Sequence, residues 1–183
     1  MIQLFYHTKS MKRLFLSLLA TVSFATPVAA ASFEDHVKLS EAVGSTGTTF
    51  LINPDRCDKS GSFGWYWVKD GQYREVVICQ ENKVEGSNAQ VDWTREDLDT
   101  LRHEAHHLVQ DCRDGSFNGI LDSVYQSPIK LAFRVMSPQR VAKIVEVYND
   151  STNHMVIMEI EAFSVAAMND PLEQVRDIQK YCF

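Results

Sequence analysis

Apolar positions recur at two periods along this chain, and the change from one to the other separates a strand-rich first half from a helical second half. Thr48 to Ile52 is a short β-branched and aromatic run that reads as a strand. Gly64-Trp65-Tyr66-Trp67-Val68, then Lys69-Asp70-Gly71, then Tyr73 to Cys79 reads as a β-hairpin, because Asp-Gly suits a tight primed turn. Val76-Val77-Ile78-Cys79 has no polar alternation and is expected to be a buried strand. Trp65, Tyr66 and Trp67 read as core or sheet surface rather than as a sugar-binding platform. Residues 81–90 are polar and read as a loop.

The period then lengthens. Thr94, with Asp97 three positions on, has the form of a helix N-cap, and Gly115 is a natural stop. Between them Leu98, Leu101, Ala105, Leu108 and Cys112 form one stripe, and Thr100, His103, His107 and Gln110 form a second. One face for a core and another for a site is the expectation. Residues 114–127 read as a loop, and Ser137-Pro138 opens a helix to about Tyr148. His154 to Met168 is apolar almost all round, and Asp170-Pro171 caps a last helix ending near Tyr181. The pattern predicts one small α+β domain over residues 31–183, in which a short sheet with its hairpin packs on the helix opened by Thr94 and a helical half follows.

The first thirty residues do not fit that domain. Lys12-Arg13 precede the apolar run Leu14 to Phe24, followed by Pro27 and the small residues Val28-Ala29-Ala30-Ala31. A basic start, a short apolar centre and small residues near a cut site describe a secretory signal peptide, cleaved near Ala30 or Ala31. A secreted or periplasmic protein is therefore expected. The apolar run is shorter than the roughly 20 residues that span a bilayer, and no later run is long enough, so no membrane partner is expected after cleavage. The chain has 24 acids against 18 Lys and Arg, a net charge of −6. The leader carries Lys9, Lys12 and Arg13 and no acid, so the mature charge becomes −9. Such a domain repels phosphate backbones, which argues against a nucleic-acid partner.

All four cysteines, Cys57, Cys79, Cys112 and Cys182, lie beyond the leader. An even number in an exported chain implies disulfides. The favoured pairing is Cys57 with Cys79, bracketing the hairpin, and Cys112 with Cys182, tying the Thr94 helix to the C-terminus. A cysteine zinc site is the competing reading, but no C-x-x-C spacing occurs.

The densest chemistry lies at His103-Glu104-Ala105-His106-His107, an H-E-x-x-H pattern on a helix. Positions i and i+4 share a helix face, roughly 5–6 Å apart at Cβ, so both imidazoles can reach one zinc ion. "RHEAHHLVQ" at 102–110, followed by "MEIEAFSVA" at 158–166, resembles the gluzincin branch of the zincin metallopeptidases. The resemblance implies a zincin-like fold and a zinc ion held by His103, His107 and a glutamate that opens an E-x-x-A pattern, which Glu159 does. Glu161 is the competing ligand, since residues two apart point to nearly opposite sides of a helix. At Phe163 many relatives place an aspartate that supports the metal site. The metzincin pattern fits poorly, needing Gly and His where this chain has Gln110 and Arg113.

The implied activity is hydrolysis of peptide or protein substrates. Zinc lowers the pKa of a bound water to about 7, and Glu104 acts as general base. His154, Tyr125 and Tyr148 are candidates for a donor to the scissile carbonyl. His106 reads as a supporting or exposed residue, and Gln110 as orienting a ligand or meeting solvent. By β-augmentation, Tyr73 to Cys79 is the expected substrate-holding strand edge. Two other classes stay open: a catalytically inactive zinc-binding module, and a small secreted disulfide protein without metal.

Overall fold

The structure, a computed structural model, describes residues 31–183; the expected leader, residues 1–30, lies outside the described residues. Three strands form one sheet: β1 (Thr49–Ile52), β2 (Gly64–Lys69) and β3 (Tyr73–Ile78). Asp70 and Gly71 both take positive φ, 55° and 66°, the combination that a primed turn requires and that turns β2 back on β3. The order is β1-β3-β2, with β1 parallel and β2 antiparallel to β3. β3 is therefore the central strand. This corrects the expectation that Tyr73 to Cys79 offers an open edge: both its sides are taken, and β2 is the free edge beside the helix that carries the histidines.

Strand alternation sorts the side chains. Tyr66, Val76 and Ile78 face one cluster with Leu101, Ala105 and Leu108. Trp65 and Val77 face a smaller one around the Cys57–Cys79 bridge. That helix, α3 (Arg95–Asp111), starts in a full capping box, with Thr94 accepting from the Asp97 N–H and Asp97 accepting from the Thr94 N–H. From Thr100 to Cys112 every residue is buried. The expectation of one core face and one site face was too simple. The sheet covers one side of α3, while α1 (Phe33–Ser45), α6 (Asn153–Met168) and α7 (Pro171–Tyr181) cover the others.

α6 is buried from Met158 to Ala166, as a run apolar on all sides requires. Its outer side receives α4 (Pro128–Val135) and α5 (Pro138–Val147), which share a second cluster of Ala132, Met136, Val141 and Ile144 with Ile160 and Phe163. α2 (Cys57–Ser60) is a single turn before β2. The result is a small α+β domain with a three-stranded sheet and a helical C-terminal half. Both disulfides form, Cys57–Cys79 and Cys112–Cys182, and no described cysteine is free. They fit an oxidising compartment. Among the described residues no helix is long and apolar enough to cross a membrane.

Candidate metal centre

One helical turn separates His103 from His107, and α6 crosses α3 where both point inward. Their Nε2 atoms lie 3.0 Å apart. Glu159 of α6 enters from the facing side, with Oε2 3.3 Å from His103 Nε2 and Oε1 3.5 Å from His107 Nε2. These three side chains offer ligand atoms within 4.8 Å of one another, and all are buried. Zn–N and Zn–O bonds of about 2.0–2.1 Å at tetrahedral angles place ligand atoms roughly 3.3 Å apart. The spacing of each imidazole nitrogen from its nearer Glu159 oxygen lies close to that edge length. Small residues, Ala162 and Ala166, let α6 sit close to α3 at this point.

The donor set also has the chemistry of a cation site. Both Glu159 oxygens and Glu104 Oε2 are buried without a hydrogen-bond partner. Leaving a buried carboxylate unsatisfied is costly, and a divalent cation between the two helices resolves the cost. Titration behaviour follows from the same burial. Burial pushes Glu104 up to about 8, although His107 and the Tyr66 backbone N–H pull the other way. Burial brings His103 down to about 4. For His107 burial acts downward, but the Glu159 and Glu104 carboxylates outweigh it and raise the ring to about 9. Burial opposes ionisation of Glu159 as well, yet His107 and His103 hold it well below the usual carboxylate range.

Glu161 goes elsewhere. Two residues along α6, it turns away from the cluster and accepts from His106 Nε2 at 2.9 Å, from Gln110 Nε2 at 3.1 Å and from the backbone N–H groups of Val124 and Tyr125. Ser123 Oγ also donates to it. The network lies in the interior and not near the surface, because the 121–127 loop folds over it. His106 is completely buried, so the exposed reading of that residue was wrong. Gln110 is buried too and meets His107 Nδ1 at 2.7 Å.

The structure does not bring the three expected carbonyl donors to the cluster. His154 Nε2 donates to Leu121 O at 2.7 Å. Tyr148 lies behind Phe163, its ring centroid 6.5 Å from that ring. Tyr125 lies over His106, with ring centroids 6.2 Å apart. A narrow cleft of about 10 Å³ reaches His103 and Glu104, and its polar walls are Glu96, Asp99, Thr100 and Arg140. That volume holds about one water molecule. Arg140 was not legible in the sequence, since only the packing of α5 on α6 brings it across from α3. Phe163, where the resemblance places an aspartate, lies against His103 with ring centroids 4.4 Å apart.

β2 approaches the centre at Gly64. A Cβ there would lie 2.6 Å from Val77 O and 3.2 Å from Glu104 Cγ. The Cys79 N–H donates to Phe63 O, so by antiparallel alternation the Tyr66 N–H points away from β3, toward Glu104. The open edge of β2 therefore runs past the carboxylate. Beyond it a groove of about 540 Å³ continues between Tyr66–Gly71 and the 118–121 loop. No family model, curated protein or solved structure matches the chain.

Proposed function

We propose that this is a secreted or periplasmic zinc-dependent peptidase of gluzincin type, with His103, His107 and Glu159 as zinc ligands and Glu104 as general base. One observation carries the reading: His103, His107 and Glu159 bring ligand atoms from α3 and α6 within 4.8 Å of one another, beside a buried Glu104 oxygen that has no hydrogen-bond partner. A bound zinc ion would supply Lewis acidity and an activated water at neutral pH. The chain's own residues do the rest. Glu104 takes a proton from the attacking water as the new C–O bond forms. It returns that proton to the amine nitrogen as the C–N bond breaks. Substrate backbone lies along the open edge of β2, past Glu104, by β-augmentation. Arg140, on the cleft wall, replaces the three expected donors as the cationic group facing the substrate.

The narrowness of the cleft favours a second reading, a zinc-binding module without turnover. Two measurements separate the readings. Purified mature protein is expected to hold about one zinc ion per chain and to hydrolyse unstructured protein in a chelator-sensitive way. Glu104→Gln keeps the shape and the ligands, so zinc stays and turnover falls by at least about 10²-fold. Zinc without hydrolysis leaves the binding module, and a chain without zinc sinks both.

A further inference from the structure

We propose that Gln110 is a positioning residue that locks the His107 ring with Nδ1 protonated and Nε2 turned to the ligand cluster. This deepens the zinc reading and rests on it.

The lock follows from which atom of the amide can face which neighbour. On one side of Gln110 stand two acceptors with no hydrogen to give, Met158 O and Glu161 Oε1, each 3.1 Å from Nε2. Turning the amide over would set an oxygen against both. The amino group therefore faces α6, and Oε1 faces His107 Nδ1 at 2.7 Å. An acceptor at that distance requires a proton on Nδ1. In the neutral ring Nε2 then carries the lone pair, and Nε2 is the atom 3.0 Å from His103 Nε2 and 3.5 Å from Glu159. Glu161 is held as an acceptor by the Val124 and Tyr125 N–H groups, so the amide has one stable orientation. His107, Gln110, Met158 and Glu161 are all fully buried or nearly so.

The test uses ¹⁵N-histidine spectra and zinc titrations of the mature protein, with Gln110→Met and Gln110→Glu as variants. Wild type is expected to show a slowly exchanging His107 Nδ1–H proton with and without zinc, and zinc coordination through Nε2. Gln110→Met loses that proton signal and binds zinc about 10–100-fold more weakly. Gln110→Glu gives up both donor bonds but keeps an acceptor for Nδ1–H. It therefore keeps the signal and recovers most of the lost zinc affinity, even where its metal-free melting temperature falls as far as that of Gln110→Met. Coordination through Nδ1, or no protected Nδ1–H in wild type, overturns the proposal whether or not the variants fold. Wild-type zinc affinity in Gln110→Met overturns it while leaving the metal centre standing. Absence of zinc uptake by wild type removes the metal centre and the lock together.

Discussion

Glu159 and Glu161 sit two positions apart on α6, both buried, and their surroundings are opposite in kind. Glu161 takes five hydrogen bonds, two from α3 and three from the 121–127 loop. Glu159 takes none and faces two imidazole nitrogens. One carboxylate is structural by its contacts, and the other is the one that could hold a cation. Removing Glu161 strands the His106, Gln110 and loop donors in the interior. Glu161→Ala is therefore expected to cost about 3–5 kcal/mol of stability, as breaking a buried charged pair does. Glu159→Ala is expected to lose zinc while its metal-free melting temperature stays closer to wild type. Zinc titration and thermal melts of both variants read this directly. If Glu161→Ala keeps its stability but loses zinc, the ligand is Glu161. Much of this centre was legible, because the histidines are one turn apart on one helix and the E-x-x-A resemblance pointed to Glu159. The Gln110–Glu161–His106 network was not, since it joins α3, α6 and the 121–127 loop through contacts that no local spacing encodes.

At the scale of elements, the position of β2 decides whether a peptide can reach Glu104. At Gly64 β2 lies close against α3: an added Cβ would lie 2.7 Å from Thr100 Cγ2 as well as against Val77 O. A strand residue with a side chain cannot occupy that place without moving β2 outward. Gly64→Ala is expected to cost about 1–3 kcal/mol, the range for overpacking. The proposed ligands lie on α3 and α6, so on that reading zinc binding should survive while hydrolysis drops. Unchanged melting temperature and unchanged hydrolysis together would show that the close approach is not needed. The hairpin, α3, α5, α6 and α7 were readable because each carries its own period, cap or proline start. α1 was not read, although Ser32 and Asp35 form a capping box and His36, Leu39 and Val43 share its buried face. α4 was missed in the same way behind Ser127-Pro128. The central place of β3 depends on its parallel pairing with β1, a contact between segments far apart in sequence. Periodicity within one strand cannot show which neighbours it will have.

Over the whole molecule, α3 is the axis on which the sheet, α1, α6 and α7 are assembled, and Cys112–Cys182 closes that assembly. The bridge joins the C-cap of α3 to the C-cap of α7, across 70 residues of sequence, where Cys57–Cys79 spans 22. α7 is also held by Gln174, whose Nε2 donates to Arg102 O at 2.6 Å, and by buried Ile178. In the chain-entropy account, a longer closed loop restricts the unfolded chain more, giving about 4 kcal/mol for the larger loop and about 3 for the smaller. Against a typical total of about 5–15 kcal/mol, either loss is large. Replacing Cys112 and Cys182 with alanine should therefore destabilise the metal-free protein more than replacing Cys57 and Cys79, measured as unfolding free energy in urea. On the proposed reading zinc would couple to the same equilibrium, because His103, His107 and Glu159 meet only when α3 and α6 are packed. At a free zinc concentration 100 times Kd it should return about 2.7 kcal/mol to either variant. Two results would contradict this account of the fold: a greater loss from removing Cys57–Cys79, or zinc binding that leaves the urea midpoint of the Cys112 and Cys182 variant unmoved.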